Sequence, residues 1–286
     1  MAAPEFVAVG HLTLDRFGDE VRVGGAALYA ALTAHRLGLS AGILTSHAED
    51  FPLDLVAPQI EIVTIEAAQT TTFDHRRDGE QRALRVLAAA QSIGADDVPE
   101  DWNDAPIVLL APVLNEVDPL VTKAFGDSSL GAAAQGWLRG LGPEGVVSAT
   151  TWAPPDFLLG SLQALFLSRE DVGADVAGAV ELFQRVPMGA LTAGDAGALL
   201  FVNGDRYEVR PHPAREVDGT GAGDVFAAAF LIDYHRHGNA WDAATVAACA
   251  GALAVQGDGV SAIPDRATLE AALRAYRAAD QSAASC

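Results

Sequence analysis

The chain has 286 residues, half of them apolar and only 20% charged, so it can bury a sizeable core, and global disorder is excluded. Formal net charge is −20, which argues against nucleic acid and anionic membranes as partners. No apolar run reaches the roughly 20 residues of a membrane span, and the two cysteines, Cys249 and Cys286, are too few for a disulfide framework, so a reduced cytoplasm is expected.

In chain order, the N-terminus meets an acid at Glu5 and has no basic region, so it reads as a first strand over 5–10. A helix is predicted over 23–38, ending at Gly38, and a strand over 41–46. This strand–helix–strand opening predicts a parallel sheet. Two partly alternating runs over 70–87 flank Asp78-Gly79, a strong hairpin signal. An apolar strand follows at 105–113, a helix at 115–125, and short strands within 130–139 and 145–152. A strand over 162–171 runs into a polar corner and a helix follows at 175–186. Residues 188–210 hold up to three strands with a hairpin at Asn203-Gly204. From Gly221 the chain is helical, roughly 222–238, 241–256 and 266–279. No repeat and no linker interrupts it, so one α/β domain with a small β excursion is expected.

Two nucleotide-binding schemes are excluded by a single residue type. Lys123 is the only lysine, and it lies in an ordinary helical context, "VDPLVTKAF". A Walker P-loop or a protein-kinase strand would need a lysine on the phosphates. A pyridoxal-phosphate enzyme would have to use this same residue.

The stretch "EVDGTGAGDVFAAAFL" (216–231) is the most informative. It spends glycines, which are costly in helices, at the mouth of an apolar helix. The first N–H groups of a helix lack internal partners and carry the positive end of its dipole, so glycines there admit an anion closely. Asp224 reads equally as a helix-capping aspartate. A Rossmann dinucleotide turn would need a preceding strand and a βαβ context, and neither is present.

This stretch resembles the C-terminal signature of the PfkB, or ribokinase-like, carbohydrate kinases, D-T-x-G-A-G-D. "VAVGHLTLD" resembles the family's first strand ending in Asp15, and "GGAALYAA" its glycine pair, Gly24 and Gly25. "FLSRED" falls where the family has N-x-x-E, and "LTAGDAG" resembles its T-x-G-x-x-G nucleotide segment. The resemblance implies a ribokinase-like three-layer α/β fold, with a mainly parallel central sheet, helices on both faces and a small β lid from about 12–23 and 68–88. It implies an ATP-dependent phosphotransferase with an alcohol group as acceptor. Asp224 would be the general base, and the amides of Gly221, Ala222 and Gly223 the anion hole. Such amides stabilise developing charge without a lysine. Gly223 is expected to hold backbone angles that a β-branched residue resists. Asp15, Gly24, Gly25 and Arg139 would bind the acceptor. Ser168, Thr192, Gly194 and Gly197, with Gly221 and Gly223, would bind the nucleotide. Asp171 would order Mg²⁺ through water, and Asp218 and Thr220 a monovalent cation such as K⁺.

The chain departs from the pattern in four places. Tyr29 replaces the Asn of G-G-x-x-x-N, which puts the usual sugar-hydroxyl contact in doubt. N-x-x-E becomes Ser168 to Asp171, and Gly219 replaces the signature threonine. The segment between Asp15 and Gly24 is too short for the family's usual excursion, so the 70–87 hairpin could carry the lid alone. "TTTFDHRRDG" and "AQGWLRGLGPEG" resemble an inositol-kinase-like branch. The acceptor is expected to be a neutral sugar or cyclitol ahead of a nucleoside, and the chain a monomer or a homodimer through the lid. A non-catalytic binding protein on the same fold and a dinucleotide oxidoreductase remain as alternatives. His235 and His237 read as cations at a helix C-terminus ahead of metal ligands. Arg76, Arg77, Arg82 and Arg85 read as a solvated hairpin face.

Overall fold

The computed structural model describes residues 3–284 except 50, 57 and 79–80. Its strands are β1 (Phe6–Val9), β2 (Thr13–Phe17), β3 (Glu20–Gly24), β4 (Ala41–His47), β5 (Glu61–Glu66), β6 (Thr72–Asp78), β7 (Gln81–Ala88), β8 (Ile107–Leu110), β9 (Ser129–Ala133), β10 (Arg139–Leu141), β11 (Val147–Ala149), β12 (Ala164–Ser168), β13 (Met188–Thr192), β14 (Ala198–Val202) and β15 (Asp205–Val209). Its α-helices are α1 (Ala26–Arg36), α2 (Asp156–Ser161), α3 (Arg169–Val172), α4 (Val176–Phe183), α5 (Ala222–His237), α6 (Ala240–Ala254) and α7 (Arg266–Ala284).

Nine strands form one sheet in the order β15-β14-β13-β12-β9-β8-β1-β4-β5. The run from β13 to β5 is parallel throughout, and β14 and β15 are antiparallel additions. The central strands are apolar on both faces because both are covered. Phe6, Ala8, Ile107 and Leu109 pack under α1, α5, α6 and α7. Val7, Val9, Val108 and Leu110 face the opposite layer with Trp102, Phe125, Leu158 and Phe183. The three-layer ribokinase-like architecture read from the sequence is the one observed.

A second sheet, β3-β2-β6-β7, projects from the first. Residues 13–24 therefore supply two of its four strands. The 70–87 hairpin does not stand alone, because Gly18 at φ 65° turns the chain within two residues of Phe17 and Glu20. The Asp78-Gly79 turn lies partly outside the described residues. Strand β5 was not expected. Residues 119–124 form a 3-10 turn capped by Asp118 rather than an α-helix. No helix among the described residues is long and apolar enough to cross a membrane.

The chain builds outward from β1 to β5 and then returns to β8 on the other side of β1. Open α/β sheets bind ligands at such a switch point, beyond the carboxyl ends of the strands. Glu116 knits it together. Its buried carboxylate accepts from the backbone N–H groups of Val113 (2.9 Å), Leu114 (2.7 Å) and His11 (3.1 Å), so it joins the exits of β8 and β1. Glu116→Ala strands three donors, and we expect a loss of about 3 kcal/mol in urea unfolding. A loss below about 0.5 kcal/mol would show that Glu116 does not organise this crossing.

Candidate active site

The expected site residues lie at the carboxyl edge of the main sheet, on the small sheet (Asp15 and Gly24) and at or just before the start of α5, with Gly25 leading into α1 and Arg139 on β10. Gly221 caps α5 in the left-handed region at φ 76°. A Cβ there would collide with the ring of Tyr29, so only glycine fits. The amides of Gly221 and Gly223 have no hydrogen-bond partner among the described residues, whereas that of Ala222 makes a 3.3 Å turn bond to the Gly219 carbonyl. Gly223 corrects the reading of its backbone. It is an ordinary helical residue with open space around its Cα, and the special angles belong to Gly221.

Asp224 sits half-buried on the first turn of α5. Its carboxyl is pushed up to about 7, chiefly by burial and then by the Asp171 charge, with Arg139 opposing. Arg139 is the cation among these carboxylates. It is partly buried, donates through Nη1 to the Val113 carbonyl (3.0 Å), and lies 5.7 Å over the Phe73 ring. Burial lowers its pKa while Asp171, Asp224, Glu116 and Asp15 support its charge.

Asp171 and Ser168 form a capping box at α3. The Asp171 carboxylate accepts from the Ser168 amide (2.9 Å), the Ser168 hydroxyl (2.6 Å) and Gln135 Nε2 (3.0 Å). The Ser168 hydroxyl is thus engaged locally. Thr192 pairs in register with Ser168 on the adjacent strand end, and Gly194 (φ 56°) and Gly197 (φ 84°) flank the short turn that follows. Asp218 accepts from the amides of Thr220 (3.0 Å) and Gly259 (3.2 Å), with Arg22 Nη1 3.8 Å away. These donors hold its pKa down against the desolvation that opposes them.

Among the described residues no cluster of three or more His, Cys, Asp or Glu could hold a metal. Asp171 retains acceptor capacity beside the Asp224 charge, and Mg²⁺ needs only one or two protein carboxylates when phosphates supply the rest. Asp171 therefore fits the expected role. Asp218 and Thr220 do not fit a monovalent cation, because amides and a guanidinium already surround that carboxylate.

Asp15 is buried on β2. Gly24 lies beside it on β3, and a Cβ there would collide with Asp15 Oδ2. Gly25, at φ 107°, enters α1. Tyr29 is buried between the two halves of the site. Burial and the charges of Asp218, Asp15 and Asp224 raise its pKa, so its hydroxyl stays protonated.

Two groups that brace the exit of β1 escaped sequence reading. Glu116 is one. His11 is the other: Nε2–H donates to the Gln91 carbonyl (2.7 Å), and in the neutral ring Nδ1 accepts from the Thr71 hydroxyl (2.7 Å). It pins the chain between β1 and β2 to the entrance and exit of the β6–β7 hairpin. The "GHLTLD" string after an apolar strand was the available signal. His235 accepts or donates at Ser129 (2.8 Å), and His237 lies 3.1 Å from Asp233, both at the far end of α5. Arg76 and Arg85 are engaged by Asp74 and Glu144.

Residues 161–266 match the family model described as pfkB family carbohydrate kinase. This segment is similar to the PfkB carbohydrate kinases. It contains Ser168, Thr192, Asp218 and Asp224, whereas Asp15 and Arg139 lie before it. The chain is 26% identical over 255 residues to a cytidine kinase of Thermococcus kodakarensis, covering 81% of this chain and 89% of that one. Its fold is similar to a pyrophosphate-dependent kinase in the ribokinase family, solved as a sulfate complex (TM-score 0.79, 21% identity, 93% of this chain and 99% of that chain). It is also similar to the Arabidopsis thaliana ribokinase complexed with ribose and ATP (TM-score 0.72, 21% identity, 95% and 99%).

The raised Asp224 pKa has a consequence for stability. An ordinary aspartate titrates near 3.8, so between that value and about 7 the folded chain holds a proton that the unfolded chain has lost. Ionising Asp224 therefore costs stability as pH rises through this window, and the cost is complete above 7. We expect Asp224→Asn to melt a few degrees above the parent at pH 8, with the gap closing towards pH 4, in a thermal scan. An equal gap at both pH values would contradict the burial argument.

Proposed function

We propose that the chain is a kinase that transfers the terminal phosphoryl group of ATP to a hydroxyl of a small polyhydroxylated acceptor, a sugar or cyclitol. The observation that carries this reading is the N-terminus of α5. There, unpartnered amides at Gly221 and Gly223, open space before Gly223 and a half-buried carboxylate at Asp224 stand side by side.

Asp224 takes the proton from the acceptor hydroxyl as its oxygen attacks the phosphorus. A base titrating near 7 suits that task at neutral pH. The Gly221 and Gly223 amides and the α5 dipole face the negative charge on the transferring group. Arg139 balances the carboxylates that crowd the reaction space. Mg²⁺, held at Asp171 through water, would supply charge neutralisation on the donor phosphates. Thr192, Gly194 and Gly197 line the way to the nucleotide. Asp15 accepts hydrogen bonds from the acceptor's hydroxyls, and the small sheet acts as the lid above it. The chain would act in the cytoplasm, alone or as a dimer through that lid.

A nucleoside acceptor is the second reading, favoured by the 26% identity to a cytidine kinase. Pyrophosphate is a second donor to test, since structural neighbours include pyrophosphate-dependent kinases, one of them bound to myo-inositol. Mass spectrometry of phosphorylated products, with ATP and pyrophosphate against sugars, cyclitols and nucleosides, separates these cases. No product from any pairing would reject the kinase reading.

Two variants test the roles. Asp224→Asn keeps the shape and loses the base, so turnover should fall at least about 100-fold with donor and acceptor binding retained. Turnover within tenfold of the parent would exclude Asp224 as the base. Asp15→Ala removes two charge-assisted hydrogen bonds and should raise acceptor KM about 100-fold, with donor KM unchanged. An unchanged acceptor KM would place the acceptor elsewhere.

A further inference from the structure

The small sheet presents one face to the site. Thr13, Asp15 and Phe17 alternate along β2, and Gly24 and Arg22 lie opposite them on β3. Phe73 and His75 share that face on β6, with Phe73 opposite Asp15. Three side chains on this face stack in a row. The guanidinium of Arg22 lies 5.2 Å from the Phe17 ring centre, and the Phe17 ring stacks on His75 at 4.4 Å and 15°. The row ends at Asp15, whose Oδ1 is 3.4 Å from His75 Nε2.

His75 Nε2 is shut off from solvent, yet it makes no hydrogen bond. It approaches Asp15 without the geometry of one. A buried polar atom left unpaired carries a desolvation penalty, so a ligand hydroxyl that displaces the row enough to reach Nε2, which no water-sized group touches here, would complete its bonding. We propose that His75 is a second acceptor-recognition residue, reading with Asp15 the same vicinal diol. One hydroxyl donates to Asp15 Oδ1 and accepts from His75 Nε2–H, and its neighbour donates to Asp15 Oδ2. A carboxylate alone only accepts, and cannot tell a hydroxyl from an amine. The imidazole adds the donor that demands a hydroxyl oxygen. Phe17 holds the ring plane, and Arg22, tied to Asp218 at 3.8 Å, braces the row against the loop that leads into α5. The inference rests on the proposed acceptor site, and it commits the substrate class to neutral vicinal diols.

The test uses His75→Ala and His75→Gln, the latter retaining an N–H donor of similar reach, with myo-inositol, D-ribose and cytidine as probes and 2-deoxyribose and 2′-deoxycytidine as controls. Calorimetry without donor and steady-state kinetics with ATP or pyrophosphate are run on the full chain. Expected are about a 10-fold rise in diol Kd and KM for His75→Ala, kcat within threefold, loss of the preference over the deoxy control, and recovery by His75→Gln. Transfer with an unchanged KM in His75→Ala, or equal loss in both variants, overturns the inference and leaves the kinase reading standing. Diol binding that depends on His75 without any transfer sustains the inference and rejects the kinase reading. No diol bound by the parent chain overturns the inference.

Discussion

The ring of Tyr29 occupies the place where a side chain on Gly221 would be. That one contact decides how α5 begins. With the ring in place, residue 221 can carry no side chain, and its glycine turns through the left-handed region into α5 with the Gly221 and Gly223 amides left unpartnered. The same side chain lies within electrostatic reach of Asp218, Asp15 and Asp224. The residue that departs most visibly from the family pattern is therefore the one that keeps residue 221 a glycine.

Charge is the second constraint. The chain carries twenty more acids than bases, and it brings Asp15, Asp171, Asp224 and Glu116 within electrostatic reach of a single arginine. Each is handled differently. Glu116 accepts from three backbone amides, and Asp171 from its cap and Gln135 with acceptor capacity to spare. Asp15 is shared with the small sheet. Asp224 carries a raised pKa, chiefly from its burial and then from the Asp171 charge, which is the property a proton acceptor at neutral pH requires.

The fold was legible where burial is two-sided. β1, β8 and β12 read as unbroken apolar runs, and α5 as an apolar helix behind glycines. β5 was missed because its "EIVTIE" alternation carries charge at both ends of an edge strand. β2 and β3 gave no strand pattern of their own, because Asp15, Arg16, Glu20 and Arg22 serve the site and the surface more than the core, and only the family resemblance assigned 12–23 to a β lid. Residues 119–124 form a 3-10 turn behind the Asp118 cap, where β-branched Val121 and Thr122 lower the α-helical propensity. Within the site, the glycines and Asp224 announced themselves by their cost to a helix. Glu116, His75 and the Tyr29–Gly221 contact did not, since their meaning lies in partners that sequence distance conceals.

The claim that the start of α5 receives the transferring phosphoryl group is open to one direct observation. Amide NMR of the Gly221 and Gly223 N–H groups can be followed while a non-hydrolysable ATP analogue or pyrophosphate is added. The account predicts that these two resonances move downfield together, saturating with the donor's affinity, as an anion comes into hydrogen-bond range. Donor binding that shifts residues elsewhere and leaves both amides unmoved would contradict it.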